Sequence, residues 1–268
     1  MILKLLSPVL GKKFIQSFCE KLYRLALKGM NYGNASNYQN NGELFALSAT
    51  ARKLSSQASK PIIFDIGANV GHYTRLISLA YKEREYELYA FEPSLPTYLK
   101  LTENCAEIKG VHFNQLAMGD HDGEAILYYE KEKSGLSSLY QRDLSHRNIQ
   151  LNTQESVQLT TLDSFCSRNQ ITHIHFLKMD VEGHELTVLK GADRLLKSKS
   201  ISIIQFEFGG CNIDSKTNFR DFYKLLSPDY KIYRILNDGL HHIAAYSEYQ
   251  EIYISANYLA VLKGLPSF

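Results

Sequence analysis

An α/β fold on a mainly parallel sheet is what this sequence predicts, and three observations carry the prediction. Short apolar runs such as Ile62–Ile66 recur along the chain, at the length of strands buried on both faces. Stretches of helical periodicity alternate with them. The first run also passes through a glycine-rich turn, Gly67-Ala-Asn-Val-Gly71, straight into a helical stretch from His72 to Tyr81. Strand, glycine turn and helix open a nucleotide-binding βαβ unit.

The 268 residues suffice for one large α/β domain with a helical extension. At 44% hydrophobic and 22% charged residues the composition is that of an ordinary soluble protein. A net charge of +2 argues neither for nor against an acidic partner. Cys19, Cys105, Cys166 and Cys211 are far apart and form no C-x-x-C pair. Reduced thiols in a cytoplasmic protein are expected, and a metal–thiolate site is not.

Residues 1–58 are expected to form an N-terminal helical extension, and 59–268 the main domain. In the first 30 residues Lys4, Lys12, Lys13, Lys21, Arg24 and Lys28 face Glu20 alone, with apolar residues at helical spacing between them. The apolar start, Met1 to Leu10, is too short to span a bilayer and lacks a signal-peptide cleavage site. Such a basic amphipathic helix packs on the main domain with its lysines in water, or touches a membrane surface or a lipid-linked substrate. Residues 31–42 read as a loop and Glu43 to Ser56 as a second helix.

The glycine turn departs from a dinucleotide site. Its spacing is Gly67-x-Asn69-x-Gly71, and Asp65 lies two residues before the first glycine. That carboxylate would repel a pyrophosphate but suit a cationic ligand, while the helix-start N–H groups remain free for a carboxylate. S-adenosylmethionine (SAM) carries both groups. The next strand, Glu87 to Phe91, ends in Glu92, 25 residues after Gly67. An acid at that place accepts hydrogen bonds from a ribose diol.

Ser94 is expected to cap a helix running to about Ala106. Val111 to Met118 reads as a third strand, with Ala117 and Met118 at its end as further cofactor-binding candidates. Glu124–Tyr129 and Val157–Thr160 are short strands, Ser134–Ser138 is a loop, and Thr161 caps a helix. His173 to Met179 is a strand in which His173 and His175 are packing residues rather than metal ligands. Glu185 to Leu196 is an amphipathic helix. Ile201 to Gly209 and Tyr230 to Leu236 are further strands, and Asn237-Asp-Gly239 is a hairpin turn before His241 and His242. Ile252 to Leu262 is the last strand.

Chemistry concentrates where strands end. Ligands of open α/β sheets bind beyond the carboxyl ends of the strands. Asp180, Glu182 and His184 follow one strand and Glu207 ends the next, so all face the rim of the Gly67 turn. Asp180 or His184 is the leading general-base candidate, with Glu182 positioning the substrate. Asp180 and Glu207, with a neighbour, are also candidate ligands for Mg2+, which would polarise an acceptor oxygen.

Asp-Ile-Gly-Ala-Asn-Val-Gly71, Phe91-Glu-Pro93, Thr161-Leu-Asp163, Leu177-Lys-Met-Asp-Val-Glu-Gly-His-Glu185, Leu189-Lys-Gly-Ala192 and Asn257-Tyr-Leu-Ala260 together resemble the FkbM family of SAM-dependent methyltransferases. The resemblance covers about residues 60 to 262, and its specific part is the Lys-x-Asp-Val-Glu-Gly run followed by Leu-Lys-Gly-Ala. It implies a Rossmann-like class I methyltransferase fold: a mainly parallel seven-stranded sheet with an antiparallel last strand. It also implies O-methylation of a sugar, glycan or polyketide hydroxyl. His184 stands where the family usually has a small residue. Two other classes stay open on the residues alone, a NAD-dependent sugar oxidoreductase or epimerase and a non-catalytic adaptor. The first lacks its Gly-x-Gly-x-x-Gly turn, and the intact Asp65, Glu92 and Asp180 speak against the second. Nucleic acid is not expected as a partner, because the core carries neither a basic stripe nor an Asn-Pro-Pro-aromatic run.

Overall fold

The computed structural model describes residues 10–34, 40–54, 60–130 and 135–266. The apolar start up to residue 9, Ser55 and Ser56 of the second expected helix, the 58/59 boundary, residues 35–39 of the expected loop and Ser134 lie outside them.

Six parallel strands form the backbone of the main sheet: β1 (Ile62–Ile66), β2 (Glu87–Phe91), β3 (Val111–Asn114), β7 (Ile174–Met179), β8 (Ile201–Phe208) and β9 (Tyr230–Leu236). Strand β11 (Ala256–Leu262) inserts between β8 and β9, antiparallel to both, and β10 (Gly239–His242) pairs with β9 at the edge. The order is β10-β9-β11-β8-β7-β1-β2-β3. The expected seven-stranded arrangement with its reversed last strand is therefore present, and the Asn237–Gly239 hairpin adds an eighth strand. The order turns back at β1, which puts the ends of β1 and β7 side by side at the crevice where ligands bind.

The helices are α1 (Gln16–Gly29), α2 (Glu43–Leu54), α3 (His72–Ala80), α4 (Leu95–Cys105), α5 (Leu162–Arg168), α6 (Glu185–Lys190), α7 (Asp193–Lys197), α8 (Cys211–Asp214) and α9 (Phe219–Leu226). Strand β1 shows why its sequence has no polar alternation. Ile63 belongs to one buried cluster with Tyr73 and Ile77 of α3 and Ala46 and Leu47 of α2, while Phe64, in the other cluster, meets the rings of Phe91 and Phe165. Both faces are covered, so both must be apolar. Helix α2 thus belongs to the body of the protein, with Leu47 and Leu54 fully buried. Helix α1 differs: it buries Leu27 but leaves Phe14 before it and Phe18, Leu22 and Leu25 along it exposed.

Two expected elements differ. Val111–Met118 is not one strand: β3 stops at Asn114, and β4 (Ala117–Gly119) leaves for a second sheet, ordered β4-β6-β5, with β6 (Thr153–Thr161) and β5 (Gly123–Tyr129). The polar pair Asn114-Gln115 marks the break, and β4 pairs instead with Leu159–Thr161 of β6. The stretch Glu185–Leu196 is two short helices, α6 and α7. A side chain on Gly191 would collide with the Gly119 carbonyl, so the chain turns where β4 presses against it. Thr161 caps α5 as expected, its hydroxyl accepting from the Ser164 amide at 2.9 Å. Ser94 occupies the N-cap of α4, but its side chain makes no capping bond. His173 meets Ser202 at 2.8 Å and His175 Nδ1 accepts from the Ile62 amide at 3.0 Å, both packing roles.

Candidate active site

The site grows from the β1 turn. Gly67 has φ +78°, and any side chain there would overlap the Asp180 carbonyl. Glycine lets the ends of β1 and β7 close up, sealed by the Asp180 amide donating to the Ile66 carbonyl at 3.0 Å. Gly71, also left-handed, occupies the N-cap of α3, and Asn69 takes φ +49° between them.

Glu92 is turned toward this loop. One carboxylate oxygen accepts from the Asn69 amide at 3.0 Å and the other from the Ser94 amide at 3.1 Å. Burial raises its pKa to about 7, against the opposing pull of these two N–H groups. A groove runs over Gly67, Asn69 and Glu92, between the second sheet's Ala117 and Met118 and the ends of β1 and β7. The free space of the groove, open mouth included, is about 860 Å3, within the range of small-molecule and cofactor sites.

Asp65 does not line the groove. It is fully buried, accepts from the Thr74 hydroxyl at 2.7 Å and lies 3.7 Å from Lys178 Nζ. Burial raises its pKa, and Lys178 opposes the rise. Lys178, over the Tyr73 ring at 4.8 Å, also reaches Asp180 at 3.3 Å. Asp65 therefore shapes the turn from behind, as the buried anchor of Lys178.

Beyond β7 the chain folds back on itself. Asp180 lines the groove with its side chain 43% exposed. Glu182, with φ +50°, also lines it and is paired to the buried Arg142, which reaches Asp214 at 3.6 Å as well. Burial, then Asp180, raise the Glu182 pKa to about 7, while Arg142 opposes them. Glu207 accepts from the Ser255 hydroxyl, and burial with the neighbouring Asp180 and Glu182 pushes its pKa well up. Carboxylate oxygens of Asp180, Glu182 and Glu207 lie within 4.8 Å of one another. The structure thus unites three acids that sequence reasoning placed on one rim.

His184 lies against the groove but is not free within it. Its Nδ1 meets the Tyr140 hydroxyl at 3.1 Å, and its buried Nε2, beside Gly119, has no partner. Burial lowers its pKa to about 4. Neutral and enclosed, the ring is better placed to pack than to collect a proton.

Several groups escaped sequence reasoning. Arg142 lies 40 residues before Glu182, in an irregular stretch whose form the sequence does not reveal. Lys178 looked like a strand residue. Glu185, fully buried, accepts from the Val181 amide at 2.9 Å and the Gly183 amide at 3.1 Å, and so holds the loop that carries Glu182. An acid in the first turn of a helix is ordinary, and only the burial sets it apart.

Residues 65–235, more than half of the chain, match the methyltransferase FkbM domain. The chain belongs to the FkbM methyltransferase family. Among curated relatives, it is similar to the hexuronic acid methyltransferase AglP of Haloferax volcanii, 27% identical over 62% of this chain and 61% of that one. It is also similar to the 2-O-methyltransferase NoeI of Sinorhizobium fredii, 26% identical over 51% of this chain and 59% of that one. The methyltransferase sdnD of Sordaria araneosa is 30% identical over 52% of this chain and 63% of its own. The aligned segments span about 60% of the length of these relatives. Among solved structures, an FkbM methyltransferase from Methylobacillus flagellatus KT superimposes with a TM-score of 0.44 at 16% identity, over 79% of this chain and 47% of its own.

Proposed function

We propose that the protein transfers a methyl group from SAM to a hydroxyl of a sugar or glycan. The observation that carries this is the convergence on one groove of the Gly67–Gly71 turn with Glu92 and the acids Asp180 and Glu182, in a chain of this family. Gly67, Asn69, Gly71, Glu92, Ala117 and Met118 would hold SAM, with Glu92 accepting from its ribose diol. When bound, SAM supplies a methyl group on a cationic sulfur. The protein's part is to orient the acceptor oxygen and to take its proton.

For that proton Glu182 and Asp180 are the candidates. A carboxyl that titrates at about 7 is matched to general-base work near neutral pH. Asp180, more exposed, would meet the acceptor's other hydroxyls. The names of the relatives that act on a hexuronic acid and on a 2-hydroxyl support a sugar acceptor. The test is mass spectrometry of oligosaccharides incubated with enzyme and SAM. A methylated product that disappears with Glu182→Gln or Asp180→Asn is expected; no methylation across neutral and acidic glycans would contradict the reading.

The proximity of Asp180, Glu182 and Glu207 favours a second reading, in which an all-oxygen site takes Mg2+. Arg142 competes for Glu182 there. Activity that survives exhaustive EDTA treatment would remove the metal.

A further inference from the structure

A second cavity, of about 660 Å3, lies between α1 and the β9–β10 edge. Strand β9 runs parallel to β8 and β7, so its carboxyl end shares the rim that carries Asp180 and Glu207. Two strands, β11 and β8, separate β9 from β7. At roughly 4.8 Å per strand, β9 and β7 lie about 14 Å apart across the sheet.

Arg234 lines this cavity while only 8% exposed. Its guanidinium donates to the Tyr32 hydroxyl at 3.0 Å and lies over the Tyr32 ring, 4.9 Å from the centroid. The Nε–H is buried and has no hydrogen-bond partner. Among the described residues no carboxylate stands at ion-pairing distance from it. A buried guanidinium without a counter-charge is costly, and one face of a tyrosine offsets the cost only in part. The two acids in the lining do not supply the charge. Glu251 is engaged by the Phe219 and Arg220 amides, at 2.8 and 3.0 Å, and by the Tyr246 hydroxyl at 2.9 Å. Glu248 is exposed at the mouth. Tyr23 and Tyr249, 56% and 91% exposed, add aromatic surface that could cover the face of a sugar ring.

We propose that this cavity is an anion-binding sugar subsite, in which Arg234 takes the carboxylate of a sugar acid or the phosphate of a sugar phosphate. With Nη1 bonded to Tyr32 and Nε enclosed, the remaining guanidinium nitrogen, Nη2, would donate a charge-assisted bond to either anion, and the tyrosines would contact the ring. That the bound sugar is a distal unit of the methyl acceptor, an oligosaccharide long enough to bridge the two sites, rests on the methyl-transfer reading; the anion site does not.

The test is calorimetric titration of the full-length protein with sodium glucuronate, glucose 6-phosphate and glucose, repeated with Arg234→Gln and Tyr249→Ala. The expected result is binding of at least one anionic sugar, with glucose bound at least about tenfold more weakly. Arg234→Gln should abolish this preference, and Tyr249→Ala should weaken whichever anionic sugar binds while leaving the melting temperature unchanged. A preference for glucuronate identifies a carboxylate ligand, and one for glucose 6-phosphate a phosphate. The proposal is overturned if neither anionic sugar binds, if glucose binds equally well, if the preference for the anionic sugar survives a folded Arg234→Gln, or if its binding is unchanged in Tyr249→Ala. Because Tyr249 is exposed, its variant decides alone should Arg234→Gln fail to fold. S-adenosylhomocysteine should bind all three proteins alike; its failure to bind the wild type would count against the methyl-transfer reading alone.

Discussion

Glu182 lies between opposing influences: burial and Asp180 favour its neutral form, and Arg142 its charged form. As a general base it works only when ionised, so activity should rise with pH through about 7. Replacing Arg142 by Met removes the favourable charge, raises the Glu182 pKa and moves this limb to higher pH; Arg142→Lys should move it back. A pH–rate profile distinguishes that shift from a uniform loss of activity, which a merely structural Arg142 would give. Glu182→Gln should lower turnover by about 100-fold or more with little change in cofactor affinity. The Asp-Val-Glu-Gly run made Glu182 visible in the sequence. Arg142 was invisible because ion pairs between an irregular loop and a strand end leave no spacing to recognise. His184 is a base candidate by its place just beyond a strand end; the enclosure beside Gly119 and Tyr140 that keeps its ring neutral is not legible, because neither neighbour is near it in sequence.

At the level of elements, apolar runs located the strands of the main sheet, because strands covered on both faces admit little else. The departure of β4 into a second sheet was not legible: a strand's partner is set by tertiary pairing, and Ala117–Gly119 is too short to declare it. That departure carries Ala117 and Met118 to the groove. The turn after β1 makes a sharper demand. Gly67→Ala would press a methyl group into the Asp180 carbonyl at a left-handed φ. It should therefore lower the melting temperature and abolish S-adenosylhomocysteine binding together, as calorimetry would show. Helix α1 carries a different expectation. Phe18, Leu22 and Leu25, with Phe14 just before the helix, form one exposed stripe, flanked by Lys21 and Lys28. We propose that this stripe rests on an anionic membrane surface. Flotation with phosphatidylserine vesicles should carry the protein upward, less so at high salt, and not with Phe14→Ser/Phe18→Ser. Equal flotation of that variant would remove the membrane contact. Among the described residues no helix is long and apolar enough to cross a membrane.

Across the whole molecule, buried carboxyls shape the response to pH. Burial raises the pKa of Glu43, Glu92, Glu182 and Glu185 to about 7. Between the unfolded carboxyl value and about 7 the folded state holds more protons, so their contribution to stability is present at low pH and is lost as pH rises through 7. His175 and His184, lowered to about 4 by burial, act oppositely, and their contribution is lost as pH falls below the unfolded histidine range. The melting temperature should therefore peak at mildly acidic pH and fall by several degrees toward pH 8, a decline that Glu43→Gln should flatten without touching the groove. The central claim concerns that groove, and one measurement meets it directly: calorimetric titration of the full-length protein with S-adenosylhomocysteine, beside NAD and a Glu92→Ala variant. Saturable binding of S-adenosylhomocysteine that is lost in Glu92→Ala, with none for NAD, is the expected result. A preference for NAD, or S-adenosylhomocysteine binding indifferent to Glu92, would contradict the account.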